Sequence, residues 1–595
     1  MRMASMARPP AVVRTECGGG VFTLHSPEPL QPYSRCVGDW LERWARETPD
    51  APAFAEPAPA GGWTTLSRRE LRRRVGAVAQ SLLDLRLAAG RPLAVLSDNG
   101  LDHLVLLLAG MHVGTPVCSL SSAYCRLAQG DYRRLHGILR ALSPALVYAA
   151  SAPSYAPALR QAGLDALELY SDGAAGVPGA LAFQHWLAAA ETPAVAAAFA
   201  AITPDTHAKY LLTSGSTGQP KAVVNSQRML CANQQMLAQG WTFLQSHKPV
   251  LLDWLPWSHT FGGNHNVNLV LRSGGTMYID DGRPLPGLIE KTVAHLREVQ
   301  PTIHFNVPRG FEMMLPALEA DPALARRFFE PARMLFYAGS GMPAATWQRL
   351  QALAATVRDE PILIATSWGA TETAPAITAL TWQVPGPGLI GLPLPGATVK
   401  FVPNAGKLEM RVKGDHVFRE YRGNPAATRA AFDEEGFYRI GDAGALLDAN
   451  DARQGIVFDG RIAEDFKLTS GTWVSVGTLR VKLVSALAPL AQDVVITGHD
   501  RSQIGALVFL TEAARALPRE TLAGHVRAAL HALHRDGAGT SQAPQRALLL
   551  PDGPNATIGE ITDKGYLNQH LVLERRAADV DALYATPLDA RVITT

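Results

Sequence analysis

The amino-acid sequence predicts an α/β fold with more than one domain, and three features of the chain support this. From residue 92 onward, short apolar runs alternate with segments whose apolar residues recur at helical spacing. From Thr398 the pattern changes to short strands separated by Gly and Asp turns, and a further unit with its own strands begins near Asp459. Strand–helix alternation is typical of a mostly parallel sheet with helices on both faces. The length of 595 residues is sufficient for several domains.

The first two thirds of the chain contain most of this alternation. Residues 1–24 are predicted to form a flexible arm that ends at three consecutive glycines, and residues 39–45 a helix with Trp40 and Trp44 on one face. Residues 153–204 are alanine-rich and weakly patterned, which indicates a peripheral segment. The predicted strands are 92–96, 116–120, 145–150, 250–254, 276–280, 302–306, 333–338 and 362–366, and the predicted helices are 101–113, 132–142, 264–272, 289–299, 309–318 and 344–353.

The last third is predicted to form a small β-rich subdomain followed by a C-terminal α+β unit. The subdomain strands are expected at 399–402, 407–412, 444–447 and 455–458. The C-terminal unit is expected to contain strands at 474–476, 493–497 and 505–510, a helix at 522–533, and a polar segment at 536–545. We therefore expect a domain boundary close to Arg461.

Charge and cysteine content exclude several classes of protein. Lys and Arg total 55 against 53 Asp and Glu, a net charge of +2, so no field of one sign favours nucleic acid or a membrane as partner. The five cysteines form no CxxC pair, which favours a reducing compartment without structural zinc. No apolar run approaches the roughly 18 residues of a membrane helix, and the N-terminus lacks an apolar signal core. We expect a cytoplasmic protein.

One loop carries the clearest sign of chemistry. An apolar run ending at Leu212 is followed by two glycines and four hydroxyl residues, and then by Lys221. Glycine lets backbone N–H groups approach an anion closely, hydroxyls add donors, and lysine adds a positive charge. The alternatives are a Walker A loop, which needs Gly-Lys-Ser/Thr at the start of a helix and does not match, and an ordinary surface turn. The predicted phosphate-binding residues are Thr213, Ser214, Gly215, Ser216, Thr217 and Gly218.

Four blocks in a fixed order resemble a known superfamily. After the loop come Ser-Trp-Gly-Ala-Thr-Glu-Thr at 367–373, Tyr-Arg-Ile-Gly-Asp at 438–442, and Gly-Arg at 460–461. These resemble the motifs of adenylate-forming enzymes, which include acyl-CoA ligases, luciferases and adenylation domains. The similarity covers residues 34 to 585. Within the superfamily the chain is most similar to feruloyl-CoA synthase, over residues 255–265, 458–476 and 559–565.

The resemblance implies a fold, a reaction and co-substrates. It implies a large AMP-binding domain of stacked, mostly parallel sheets with a β-rich subdomain (25–461), and a small mobile lid (462–595). It also implies an AMP-forming ligase that uses ATP, Mg²⁺ and CoA. A carboxylic acid first becomes an acyl-adenylate with release of pyrophosphate, and CoA then displaces AMP to give the thioester. The implied acid is aryl or hydroxycinnamic, such as ferulate, and the protein is expected as a monomer or homodimer.

The resemblance also implies roles for the nucleotide-binding residues. The phosphate loop would wrap the β- and γ-phosphates, and Thr217 and Glu372 would hold Mg²⁺. Trp368 would stack on adenine, with a core aromatic as the alternative. Asp442 would accept the ribose hydroxyls with Arg461 beside it, and a turn aspartate is the alternative. The remaining implied nucleotide contacts are Lys221, Gly339, Ser340, Gly369 and Thr371.

A second set of implied residues concerns the acid, CoA and the lid. Lys564 would reach the carboxylate and α-phosphate, although a solvated surface lysine is the alternative. His259 would gate the acyl pocket, which Trp254, Phe261 and Tyr337 would line together with Gly339 and Ser340. Gly471 and Trp473 would lie along the CoA tunnel. The hinge position holds Ala463, where relatives commonly have Asp or Lys.

Three other functions stay open at this stage. A luciferase-type oxygenase shares the motifs but needs a special substrate. An adenylation enzyme that loads a separate acyl carrier protein would not need CoA. A nucleotide-binding sensor would have lost catalysis, although the charged residues expected of an active enzyme are all present, namely Lys221, Glu372, Asp442, Arg461 and Lys564.

Overall fold

The computed structural model describes residues 10–88, 90–126, 130–213, 220–404, 406–470, 472–536, 543–555, 560–561 and 567–595. It has a mixed α/β architecture with three sheets that contain parallel strands, one fully antiparallel sheet, and a smaller α+β domain at the C-terminus. The predicted fold class, a large N-terminal domain followed by a small C-terminal domain, is confirmed.

The chain up to Ser226 supplies a complete seven-stranded sheet, two strands of a four-stranded sheet, two strands of the antiparallel sheet, and their covering helices. Its strands are β1 (Val13–Gly18), β2 (Val21–His25), β3 (Pro52–Pro57), β4 (Trp63–Ser67), β5 (Leu93–Leu96), β6 (Val117–Leu120), β7 (Leu146–Ser151), β8 (Leu167–Asp172), β9 (Leu181–Ala182), β10 (His207–Thr213) and β11 (Lys221–Ser226). Its helices are α1 (Val37–Glu47), α2 (Arg68–Asp84), α3 (Leu101–His112), α4 (Ala123–Arg126), α5 (Arg133–Leu142), α6 (Ala152–Ala162), α7 (Phe183–Leu187) and α8 (Pro193–Ala200).

The middle of the chain supplies a five-stranded sheet and the other two strands of the four-stranded sheet. Its strands are β12 (Val250–Asp253), β13 (Thr276–Ile279), β14 (Ile303–Asn306), β15 (Met334–Tyr337), β16 (Leu363–Gly369), β17 (Ala376–Ala379) and β18 (Leu392–Pro393). Its helices are α9 (Gln227–Gly240), α10 (Val267–Ser273), α11 (Ile289–Leu296), α12 (Pro308–Ala320), α13 (Pro322–Phe329) and α14 (Ala344–Ala355).

The rest of the chain forms the antiparallel sheet and the C-terminal domain. The strands are β19 (Thr398–Asn404), β20 (Lys407–Lys413), β21 (Tyr438–Leu446), β22 (Ile456–Arg461), β23 (Phe466–Lys467), β24 (Trp473–Val474), β25 (Ala491–Thr497), β26 (Gly505–Leu510), β27 (Arg546–Leu550) and β28 (Val592–Thr594). The helices are α15 (Pro425–Ala430), α16 (Val476–Ala486), α17 (Glu512–Arg515), α18 (Arg519–Asp536), α19 (Gln569–Arg575) and α20 (Ala577–Leu583).

The sheet topology agrees with the predicted alternation. The seven-stranded sheet has the order β11-β10-β6-β5-β7-β8-β9, and all its pairs except β10–β11 are parallel. A second sheet has the order β12-β13-β3-β4 and a third β14-β15-β16-β17-β18, each parallel where helices connect the strands. Parallel strands need a crossover, and the helices predicted from the sequence supply it.

Helix α3 lies between the first two sheets. Its sequence is almost continuously apolar after Leu101, and nearly all its residues are buried. It contacts β6 and β10 on one side and β3 on the other. A helix that is apolar on all sides is stable only when it is covered on all sides, so the two sheets pack across this helix.

The prediction of a flexible arm over residues 1–24 is wrong for residues 13–24. These residues form the hairpin β1–β2, and β2 pairs with β19 in the six-stranded antiparallel sheet β1-β2-β19-β20-β21-β22. Phe22 and Leu24 alternate inward, and the Phe22 ring stacks on Phe401 with 4.7 Å between centroids. The glycines 18–20 all have positive φ and make the tight connection instead of a flexible end. The weakly patterned segment 153–204 is likewise ordered, and it contributes β8 and β9 to the edge of the seven-stranded sheet.

The C-terminal domain begins after β22 and remains tied to the β-rich sheet. Its four-stranded sheet has the order β25-β26-β27-β28, with one parallel pair. The Lys407 ammonium, at the start of β20, donates to the Asp459 carbonyl oxygen (2.6 Å) and to Ser475 Oγ (2.9 Å), and pairs with Asp465. Lys407 therefore joins residues on both sides of the predicted boundary. Within the described residues, no helix is both long and apolar enough to cross a membrane.

The seven-stranded sheet contains one unexpected charge, which generates a prediction. Lys209 in β10 is 2% exposed, and burial lowers its pKa to about 7. Between that value and the ordinary pKa of about 10.4, the unfolded chain binds the extra proton, so the unfolding free energy rises with pH. This rise is at most about 1.4 kcal/mol per pH unit, and we expect it to be absent from the Lys209→Met variant, because methionine binds no proton. Urea unfolding of both proteins between pH 7 and 9.5 checks this, and parallel profiles would contradict it.

Candidate nucleotide and acyl site

Three strands bring predicted nucleotide-binding residues together. Trp368 lies near the end of β16, Asp442 in β21, and Arg461 at the end of β22 directly opposite Asp442. The Trp368 indole N–H donates to Asp442 Oδ2 at 2.7 Å. The Arg461 Nε lies 3.5 Å from the other carboxylate oxygen, Oδ1. The structure therefore brings three of the sequence-predicted residues into one cluster.

Asp442 has the properties of a ligand-binding carboxylate. It is 7% exposed, and burial raises the pKa of its carboxyl above the ordinary value, although Arg461 and the Trp368 N–H oppose this rise. Its Oδ1 accepts no hydrogen bond from the described part of the chain. A buried carboxylate oxygen without a donor is costly, and the hydroxyls of a ribose would supply donors. The residues present therefore fit a nucleoside.

Glu372, the predicted metal ligand, is held by a residue that the sequence did not indicate. It lies in a short 3₁₀ turn, Thr371–Thr373, and is 7% exposed. The Tyr421 hydroxyl donates to Glu372 Oε1 at 2.9 Å. The Lys221 ammonium lies over the Tyr421 ring, 5.1 Å from its centroid. Tyr421 thus places a carboxylate and an ammonium from two predicted motifs beside each other, and carboxylate oxygen is the ligand type that Mg²⁺ requires.

The predicted phosphate loop connects two well-defined strands. Thr213 and Lys221 are opposite partners in the β10–β11 hairpin and form the last pair before the connecting loop. Residues 420–422 pair with the outer side of β11, where Val223 bridges Tyr421. Both ends of the loop are therefore fixed by the sheet. The loop residues Ser214, Gly215, Ser216, Thr217 and Gly218 lie outside the described residues.

The other predicted nucleotide contacts also lie at strand ends. Gly339 follows β15 with φ of 93°, a conformation that favours glycine, and Ser340 beside it is exposed. Gly369 ends β16, where a Cβ would lie 1.8 Å from the Pro375 carbonyl oxygen, so no larger residue fits. At Gly341 a Cβ would meet Val481 of α16 at 3.2 Å. The C-terminal domain therefore lies next to this wall of the site.

The segment from Leu255 to Asn266, which we call the gate segment, carries His259 and Phe261. Its start is held by Asn99, which donates from Nδ2 to the Leu255 carbonyl oxygen and accepts from the Trp257 N–H, each at 3.0 Å. Its second half, Phe261–Asn266, is a turn of π-helix. The Phe261 ring packs against Phe336, with 5.5 Å between centroids. The gate segment is therefore fixed from several distant parts of the chain.

Two predicted pocket residues are placed differently from Phe261. Trp254 is buried and its indole N–H donates to Asn306 Oδ1 at 3.0 Å. Tyr337 packs against Trp347, in a separate hydrophobic cluster from Phe261 and Phe336. Neighbouring residues of a strand point to opposite faces, so the structure separates Tyr337 from Phe261. A contribution of Tyr337 to the pocket stays a prediction.

Two of the predicted C-terminal residues, Gly471 and Lys564, lie outside the described residues. Trp473, next to the first of them, is 37% exposed, and the Lys467 ammonium lies over its ring at 4.9 Å. The motif around Lys564 is anchored by the fully buried Glu560, which pairs with Arg576 at 2.7 Å. Ile561 and Leu567 then pair in an antiparallel bridge.

Several residues of this region were missed by the sequence analysis. Glu560 lies inside a recognised motif and Tyr421 between two of them, and no pattern marked either residue as a contact. The others are polar residues that are buried or half-buried, and only the tertiary structure reveals their partners. These are Asn99, Lys209, Asn225, Gln234 and Asn306.

Comparison with known proteins places this site in a family. The profile of the AMP-binding enzyme family matches residues 41–422, and that of the AMP-binding enzyme C-terminal domain matches residues 468–587. The first match alone covers more than half of the chain. The chain therefore belongs to the AMP-binding enzyme family.

Individual relatives are distant. The chain is 25% identical over 329 residues to "Probable CoA ligase CCL8" of Humulus lupulus, covering 52% of this chain and 51% of that protein. It is 24% identical over 407 residues to mitochondrial malonate–CoA ligase ACSF3 of Mus musculus, covering 61% and 65%. The chain thus spans about half to two thirds of these relatives. ATP-bound MatB from Rhodopseudomonas palustris has the same fold, with a TM-score of 0.71 and 23% identity over 92% of this chain and 99% of that one.

The bond between Trp368 and Asp442 generates a prediction about AMP binding. Trp368→Phe keeps an aromatic ring but removes the N–H that holds Asp442. We expect the AMP dissociation constant to rise roughly ten- to a hundredfold, since a hydrogen bond to a charged group contributes roughly 1.5–3 kcal/mol. The N–H lowers the pKa of Asp442, so its removal should raise that pKa. As the pH falls, the Asp442 carboxylate of the variant is therefore protonated first, and the variant should lose AMP affinity at a higher pH than the wild type. Titration calorimetry between pH 5.5 and 8 measures both effects.

Trp63→Phe is the matched control for this experiment. The Trp63 indole N–H also donates to a carboxylate, Glu298, at 2.8 Å, but on another part of the surface. This variant should bind AMP like the wild type at every pH. An unchanged dissociation constant in Trp368→Phe would mean that the ring alone matters and that the bond to Asp442 has no role in binding.

Proposed function

We propose that this protein is an AMP-forming acid–thiol ligase, an acyl-CoA synthetase that uses ATP, Mg²⁺ and CoA. The single observation that carries the proposal is the cluster of Asp442 in β21, Trp368 near the end of β16, and Glu372 in the turn that follows β16. Its orphaned buried oxygen fits a nucleoside, and its second carboxylate lies beside the ends of the phosphate-loop hairpin. Membership of the AMP-binding enzyme family and similarity to CoA ligases support the same assignment.

Different residues have different roles in the first step, the formation of the acyl-adenylate. Asp442 and Arg461 orient the ribose, and Trp368 fixes Asp442 while its ring lies close to the adenine position. Lys221 and the phosphate loop, through Thr213 to Gly218, neutralise phosphate oxygens. Glu372 and Thr217 would hold Mg²⁺, which when bound stabilises the charge on the phosphates. Lys564 would direct the acid carboxylate at the α-phosphorus, so that the reaction gains from orientation and charge stabilisation.

The second step would require the C-terminal domain. We propose that residues 462–595 form a mobile lid on the AMP-binding domain, which runs to residue 461 and includes the hairpin 13–25. The position of Val481 beside Gly341 supports a lid that reaches the site. Gly471 and Trp473 would lie along the path of CoA, and Ala463 would serve as the hinge.

We further propose an aryl or hydroxycinnamic acid, such as ferulate, as the substrate. The aromatic rings around Phe261 suit a flat acid, and the similarity of three sequence stretches to feruloyl-CoA synthase supports this. The relatives differ in substrate. Some are named malonate–CoA ligases and others long-chain-fatty-acid–CoA ligases, and a fold neighbour is an anthranilate CoA ligase. The tested acids must therefore include these classes.

A second candidate is an adenylation enzyme that loads a separate acyl carrier protein. It is favoured by one relative, 23% identical over 240 residues, which is named a long-chain-fatty-acid–[acyl-carrier-protein] ligase. Both candidates form the acyl-adenylate, and only the thiol differs.

The acid and the thiol are tested together in one assay. AMP release is measured with Mg²⁺-ATP and ferulate, anthranilate, benzoate, malonate or octanoate, with and without CoA, while thioester absorbance is followed. We expect ferulate to give AMP and thioester in equal amounts, with turnover that needs CoA. Turnover with malonate or octanoate alone would overturn the aryl assignment, and AMP formation without thioester would favour the carrier-protein loader.

The role of Lys564 predicts unequal loss in the two half-reactions. Lys564→Ala should slow acyl-adenylate formation by about 10²-fold or more, the effect of removing one directed charge. Thioester formation from supplied acyl-adenylate should change much less, because the lysine acts only in the first step. Single-turnover measurements of each half-reaction distinguish these outcomes, and equal losses in both would contradict the assignment. Lys291→Met is the control, because the Lys291 ammonium in α11 pairs with the Asp281 carboxylate and has no proposed role in the site.

A further inference from the structure

The π turn of the gate segment requires support from outside the helix. In Phe261–Asn266 the register is five residues, as shown by the Val267 N–H, which donates to the Gly262 carbonyl oxygen. Such turns are rare and are found mostly at functional sites. The α-helical register of α10 follows directly, so the local sequence alone does not require the wider turn.

Side chains from other elements donate to three consecutive carbonyl groups of this turn. Lys209 Nζ lies 2.7 Å from the Gly263 carbonyl oxygen. Gln234 Nε2, from α9, lies 3.2 Å from the Asn264 carbonyl oxygen and 3.1 Å from that of His265. Both donors are 2% exposed. A buried carbonyl without a donor costs about 1–3 kcal/mol, so these bonds favour the conformation in which the three carbonyls face the donors.

The β10–β11 hairpin provides a second contact next to the first. Lys209 and Asn225 are opposite partners in the hairpin and share one face of the sheet. Asn225 Oδ1 accepts from Asn264 Nδ2 at 2.6 Å. The hairpin that ends in the phosphate loop therefore also holds the π turn of the gate segment.

A lysine at this buried position lowers the stability of the fold. No carboxylate in the described ranges lies within 4.0 Å of the Lys209 ammonium, which donates to the Gly263 carbonyl oxygen. Burying an amine without a counter-ion costs stability, whereas methionine would occupy similar space without that cost. A residue that lowers stability and contacts a segment of the proposed site points to a role in that site.

We propose that Lys209 and Gln234 are positioning residues that fix the π turn and so set the acyl pocket for the acid. The inference rests on the proposed function, because it takes His259 and Phe261 as pocket residues. The Gly263 N–H donates to the His259 carbonyl oxygen at 2.8 Å, so the held turn is connected directly to the gate residue. Relaxation to the α-helical register would shift the turn by one residue, which rotates the side chains before it by about 100° around the helix axis.

The test compares variants that remove only the donors. Lys209→Met and Gln234→Met keep side-chain length, and Gln351→Met is the matched control, because Gln351 Nε2 donates to the Ile362 carbonyl oxygen at 2.9 Å in another part of the domain. We expect the KM for ferulate to rise about tenfold in both variants, the effect of losing one hydrogen bond of about 1.4 kcal/mol. The KM for ATP should change less than about twofold. The ratios of kcat/KM among ferulate, anthranilate, malonate and octanoate should become smaller.

A second readout does not depend on turnover. Amide hydrogen exchange of the peptide covering residues 259–268 should become about tenfold faster in both variants and stay unchanged in Gln351→Met, because the turn loses its outside support. Faster exchange with an unchanged KM for ferulate would overturn the role in the pocket. Unchanged exchange would overturn the claim that these side chains hold the turn.

The two proposals can fail separately. If the wild type adenylates none of the acids, the proposed function fails and the pocket role fails with it. The hydrogen-exchange comparison then still decides whether Lys209 and Gln234 hold the π turn. If the wild type is active and both variants match it in KM and in exchange, only the inference about positioning is wrong.

Discussion

The burial of the Asp442 carboxylate is the constraint on which the rest of this site depends. Removing a carboxylate from water is costly, and residues from two sheets contribute to offsetting that cost. Trp368 comes from the mostly parallel sheet, Asp442 and Arg461 come from the antiparallel sheet, and the strand that carries Arg461 leads into the C-terminal domain. The candidate nucleotide site therefore lies at the junction of the two domains. Lys407 links the two sides of this junction through its bonds to Asp459 and Ser475. One carboxylate oxygen is left for a ligand.

The fold could be predicted to the extent that local pattern determines it. Strands such as β5 and β15 are short apolar runs buried on both faces, and predicted helices connect them to the next strands, so their positions follow from the sequence. The hairpin β1–β2 could not be predicted this way. β1 is exposed along its whole length, and β2 is stabilised by pairing with β19, which lies in the last third of the chain. Partners this distant leave no mark on the local pattern.

The site was predicted largely by resemblance of its motifs, and its supporting contacts were not. Glu372, Asp442 and Arg461 lie in recognisable blocks, but nothing in the sequence indicates that Tyr421 donates to one of them or that Trp368 donates to another. Lys209 is a stronger case. A lysine within a strand is normally expected on a solvated face, and only the packing of the π turn onto β10 shows that it is buried.

The central claim is that this cluster holds ATP while a carboxylic acid attacks it. Acid-dependent exchange of labelled pyrophosphate into ATP measures that step alone, without CoA or lid movement for the second step. We predict that exchange needs an aryl acid and Mg²⁺. Its rate should fall at least about 10²-fold in Asp442→Ala and Glu372→Gln and should be retained in Trp63→Phe. Binding of ATP without exchange for any acid would contradict it, and would leave a nucleotide-binding protein that does not form adenylates.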